Sequence, residues 1–103
     1  MANAHFLCQR VGVRLKGLTR LEDDSYRAGP LDLPLDEARQ LEGGTVHFHE
    51  ARNKPSVIGG EGTGVEGADG EVTLRFEARK EARRARWKGW REDVTWYSGV
   101  LDG

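Results

Sequence analysis

The sequence predicts a small, mainly β domain with one or two short helices (α+β), folded as a partly open β-barrel. Three observations predict it. Apolar and polar residues alternate with period two in several short runs, the spacing of half-buried strands. Clusters of Gly, Pro, Asp and Asn punctuate those runs. One stretch, 34–42, carries a full set of helix start and stop signals.

Length and composition set the scale. The chain has 103 residues, 37% hydrophobic and 32% charged, which suits one small core and a single domain over 1–103. Three Trp, three Phe and two Tyr can anchor that core, so full disorder is excluded.

Val11, Val13 and Leu15 alternate with Gly12, Arg14 and Lys16 and read as a first strand. Thr19–Glu22 and Ser25–Arg27 flank Asp23-Asp24 and suit a hairpin, which Ala28-Gly29-Pro30 should then interrupt. In 34–42, Pro34 fits the first turn and Asp36 and Glu37 favour the positive end of the helix dipole. Leu35, Ala38 and Leu41 form its inward stripe, and Gly43-Gly44 ends it. Thr45–Glu50 is a strand with Val46 and Phe48 on one face and His47 and His49 on the other.

Asn53-Lys54-Pro55-Ser56 is turn chemistry, and Val57-Ile58 is a short strand. Six glycines within 59–70 predict a loop or a loosely paired hairpin tip. Val72, Leu74 and Phe76 mark the clearest strand. Residues 77–86 have high helix propensity, with a methyl-wide stripe of Ala78, Ala82 and Ala85, so they can form a helix, a lid or an ordered loop. Val94–Leu101 reads as the last strand, with Trp96, Ser98 and Val100 on one face.

Cys8 is the only cysteine, so no intrachain disulfide can form, and it suits a small buried side chain. The amino terminus lacks a signal-like apolar run, and no stretch approaches the roughly 18 apolar residues of a membrane helix. The expectation is a cytoplasmic protein without a membrane partner.

Gly62-Thr63-Gly64-Val65-Glu66-Gly67 matches a dinucleotide fingerprint, but no helix pattern follows it, so a flexible loop explains it better. His47 and His49 could offer two nitrogens to a metal, with Glu50 or His5 as a third ligand. The plain alternative is two polar residues on the wet face of an edge strand. Ser25, Ser56 and Ser98 do not sit in a nucleophile elbow. The leading reading therefore assigns no catalytic residue, no metal ligand and no cofactor.

The charge distribution is the strongest functional signal. The net charge of −1 hides a basic segment, 75–91, with eight basic and two acidic side chains. The rest of the chain is acidic. Arg79, Arg83, Arg84, Arg86 and Lys88 are placed to neutralise phosphates, with Trp87 or Trp90 stacking on a base. The alternative is a solvated helix whose bases are paired by Glu77, Glu81 and acids from the rest of the chain.

Part of the chain resembles the middle of a PUA-like barrel of the EVE and ASCH type. The resemblance rests on a short helix and then Gly43-Gly44-Thr45-Val46-His47-Phe48. Val57-Ile58-Gly59-Gly60 and Val72-Thr73-Leu74-Arg75-Phe76 follow. That group often has Asp where this chain has Thr45. The resemblance implies a pseudo-barrel that binds RNA or a modified DNA base in a cleft, which Trp96 and Tyr97 could line. Three readings follow: a non-catalytic nucleic-acid-binding module, a protein-interaction or accessory subunit, and a metal-dependent enzyme using His47 and His49.

Overall fold

The computed structural model of the chain describes residues 2–8, 10–11, 14–15, 17–89 and 96–102. The fold is mainly β, as expected, and its main sheet is not closed. Among the described residues nine strands run in chain order: β1 (Ala2–Leu7), β2 (Arg10–Val11), β3 (Arg14–Leu15), β4 (Leu18–Glu22), β5 (Ser25–Leu31), β6 (Thr45–His49), β7 (Ile58–Ala68), β8 (Glu71–Ala78) and β9 (Leu101–Asp102). One helix, α1 (Leu35–Arg39), precedes β6. Seven strands form one sheet in the order β4-β5-β8-β7-β6-β1-β9, and β2-β3 form a separate ribbon.

The hairpin around Asp23-Asp24 forms as expected, with Asp23 in the left-handed region at φ 48°. The expected first strand over 11–15 is instead the small β2-β3 ribbon; Gly12 and Val13 lie outside the described residues. Strand β5 continues through Gly29-Pro30, and the disturbance is confined to a register shift against β8. Helix α1 forms inside the expected span. Ala38 and Leu41 are buried, and the Asp69 carboxylate accepts from the Leu35 amide at 2.7 Å, close to the helix start. That bond satisfies one of the donors a helix start leaves unpaired.

One expectation is corrected, and one open choice is decided. The glycine-rich stretch is not a loop: most of it is β7, an eleven-residue strand in the middle of the sheet, and its end forms a hairpin with β8, the paired alternative. Backbone proximity explains its glycines, because a side chain at Gly60 would collide with the Glu77 carbonyl and one at Gly62 with the Leu41 carbonyl. The fingerprint match therefore lies within a strand, without the loop-to-helix geometry a pyrophosphate needs. Over 77–86 the ordered-loop alternative holds rather than the helix. Strand β8 runs to Ala78, a single 3-10 turn spans Lys80–Ala82, and the chain is irregular through Gly89.

The main core is an aromatic ladder. Tyr26, Phe76, Phe48, Phe6 and Tyr97 stack in that order at successive centroid distances of 5.5, 5.1, 5.2 and 5.0 Å. Phe76 and Phe48 meet although β7 separates their strands, because Phe76 pairs with Gly62 on β7 and no side chain intervenes there. Such contacts add about 0.5–1.5 kcal/mol per pair beyond area burial. Tyr97, rather than Trp96, is the deeply buried aromatic of the final segment, and Trp96 packs partly buried beside it. Residues 90–95, including Trp90 and the first two residues of the expected last strand, lie outside the described residues; of the rest of that expected strand only Leu101 lies in a strand, β9.

Candidate nucleic-acid interface

The parallel pairing of β1 with β6 sets His5 beside His47 in register. Phe6 and Phe48 from the same strands enter the aromatic core, so the alternate residues His5, His47 and His49 share the opposite face. β6 is not an edge strand and the face is largely covered, His47 being its more exposed ring, which corrects the expectation for the histidines. His5 is 2% exposed and His49 is fully buried. Burial costs a charged imidazole its hydration, and all three pKa values fall, His5 to about 3. The rings are therefore neutral at pH 7.

Their hydrogen bonds fix the tautomers. The carbonyl of Lys54 lies 2.8 Å from His49 Nδ1, and a carbonyl only accepts, so Nδ1 carries the proton. His49 Nε2 then accepts from His5 Nδ1–H at 2.8 Å. By the same logic His47 Nδ1–H donates to the Ala82 carbonyl at 2.9 Å. His49 thus has both nitrogens engaged and cannot join His47 in chelating a metal as the H-x-H spacing suggested. Among the described residues no three His, Cys, Asp or Glu are grouped so as to hold a metal ion.

The basic segment lies across this histidine face. Ser56 ties it down: its amide donates to the Ala85 carbonyl at 2.9 Å, and its hydroxyl donates to the Ala82 carbonyl at 2.9 Å. The same hydroxyl accepts from the Ala85 amide at 2.9 Å, and the Ser56 carbonyl accepts from the Arg84 amide at 2.8 Å. These bonds pair with backbone groups that a helix would have used internally, which is why the helix propensity of 77–86 is not realised. Trp87 then packs on His5 and His49, at centroid distances of 5.6 and 5.1 Å.

The arrangement builds a cleft of about 410 Å³ between the 51–55 loop and Arg86-Trp87. Arg52, Lys54, Arg86 and Trp87 line it together with Asn53 and Pro55, and among the described residues no acid does. The Arg52 guanidinium sits 5.5 Å from the Trp87 ring centroid, a cation–π placement. No family model, curated protein or solved structure matches the chain.

The structure separates the basic residues singled out from sequence. Arg79 is bonded to Glu77 at 2.7 Å and lies near Glu61, and those carboxylates hold its pKa up. Arg75 pairs with Glu66. Arg83, Arg84, Arg86 and Lys88 are exposed, and among the described residues no carboxylate lies within ion-pair distance of them. Arg86 and Trp87 meet in the cleft. Sequence reasoning missed Arg52 and Lys54, which form the opposite wall, and Ser56, which anchors the segment. Turn chemistry at 53–56 was the only signal that marked that loop.

Proposed function

We propose that this protein is a non-catalytic nucleic-acid-binding module that holds a single strand in the cleft between the 51–55 loop and Arg86-Trp87. One observation carries the reading: three cationic side chains and one tryptophan line a cleft that, among the described residues, no acid lines. Arg52, Lys54 and Arg86 supply the charge that releases counterions from a phosphate backbone. Trp87 supplies an indole face for a base, and the fixed histidine layer behind it holds the ring in place. Arg83, Arg84 and Lys88 extend the positive surface along the strand's path.

The PUA-like resemblance points to the same ligand class, RNA or a modified DNA base, and the reading goes with a cytoplasmic location. A protein-docking role has less support. Among the described residues Leu21 is the single exposed large hydrophobic side chain, which is little apolar area for a partner.

Fluorescence anisotropy with a labelled single strand and with a duplex, at low salt, tests the proposal. Saturable binding of the single strand is expected. Absence of binding to both overturns it.

A further inference from the structure

The histidine face leaves two nitrogens for a ligand. With Nδ1–H of His47 given to Ala82 and Nδ1–H of His5 given to His49, each ring retains an Nε2 lone pair. No buried side-chain nitrogen or oxygen among the described residues lacks a partner, so these two unpartnered Nε2 atoms are reached by solvent. Of the two rings, His47 is the more exposed. It stacks on His5 at 4.7 Å, and His5 in turn contacts Trp87. The exposed Lys88 ammonium is near enough to disfavour a proton on either ring.

A neutral acceptor beside a cation suits a ligand that presents a hydroxyl donor next to an anionic oxygen. A ribose 2′-hydroxyl beside its phosphate has that pattern, and deoxyribose lacks the donor. A metal ion suits the site less well. Lys88 repels cations, and no third ligating group stands with the two nitrogens among the described residues.

We propose that His47 selects RNA over DNA, its Nε2 accepting a hydrogen bond from a ribose 2′-hydroxyl while Lys88 contacts the neighbouring phosphate. This inference rests on the nucleic-acid reading above and adds the sugar specificity of the same site.

The experiment measures the affinity of the full chain for three labelled single strands of one sequence: RNA, DNA and 2′-O-methyl RNA. One neutral hydrogen bond should make RNA about 3- to 10-fold tighter than either of the others. His47→Asn keeps an amide donor for the Ala82 carbonyl but removes the outer acceptor, so its RNA affinity should drop to the DNA level. His47→Gln reaches the position of Nε2 and should retain part of the preference.

Equal wild-type affinities for RNA and DNA overturn the sugar specificity and leave the nucleic-acid reading standing. A preference that persists in His47→Asn overturns the role of His47. Stoichiometric zinc uptake that His47→Asn loses overturns it in favour of a metal site. Absence of binding to every strand overturns both readings. Should His47→Asn fail to fold, the wild-type contrast of RNA with 2′-O-methyl RNA still decides.

Discussion

His5 donates a hydrogen bond from Nδ1 to Nε2 of His49, 2.8 Å away, across a sequence separation of 44 residues. Through His49 the bond continues to the Lys54 carbonyl, so a strand at the amino-terminal end is wired to one wall of the cleft. His49→Ala breaks that line. It leaves the Lys54 carbonyl without its donor and opens space under Trp87. A loss of about 2 kcal/mol of stability is expected, read as a lower urea midpoint with an unchanged m-value. An unchanged midpoint would show that the line carries no structural weight.

Acid should destabilise the fold through the same cluster. Burial, then His47, His49 and Lys88, push His5 from 6.5 down to about 3, and burial also lowers His47 and His49. Between pH 6.5 and about 3 the unfolded chain binds more protons than the folded one. The stabilisation is therefore complete above about pH 6.5 and is lost progressively as pH falls toward 3. Each histidine in that window contributes a slope of at most about 1.4 kcal/mol per pH unit. The urea midpoint should be lower at pH 5 than at pH 7.5. A His5 ring resonance titrating near 6.5 by NMR would contradict this account.

Two glycines of β7 should respond very differently to the same substitution. A Cβ at Gly60 would strike the Glu77 carbonyl and the Ala78 backbone, whereas one at Gly64 meets nothing within 4 Å. Gly60→Ala should cost more than about 2 kcal/mol and Gly64→Ala close to nothing, by thermal or urea unfolding. Equal effects would argue against the pairing of β7 with β8 as described.

Ser56 should govern the order of the basic segment. Ser56→Ala removes the hydroxyl between the Ala82 carbonyl and the Ala85 amide. Amide exchange at Ala85 should accelerate about tenfold or more, and stability should fall by about 1–3 kcal/mol. Unchanged exchange at Ala85 would show that other contacts hold the segment.

Local signals made part of the fold legible. The Asp23-Asp24 hairpin, α1, β6 and β8 each follow from alternation or turn and cap chemistry within a few residues. Strand β7 was hidden because its glycines reflect the needs of its neighbours: room for their backbones and for Phe76 to reach Phe48 over it. Over 77–86 the choice between helix and ordered loop is decided by bonds to Ser56 and His47, which lie more than 20 residues away in sequence.

The site shows the same division. The basic run through Arg86 and Trp87 was visible as composition, but Arg52 and Lys54 join it only through the tertiary fold. His5 joins His47 only through the parallel pairing of β1 and β6, which no local pattern announces.

The central claim is that the cleft binds a nucleic-acid backbone through the cations that line and flank it. Its most direct test is the salt dependence of single-strand affinity for the wild type and for a chain carrying Arg86→Gln and Lys88→Gln. With Arg52, Lys54, Arg86 and Lys88 in contact, the slope of log K against log salt should be about −2 to −3. The double substitution should flatten it by about 1.4, whereas Arg79→Gln, already paired with Glu77, should leave it almost unchanged. Absence of binding at low salt, or a slope that the double substitution leaves unchanged, would contradict the account.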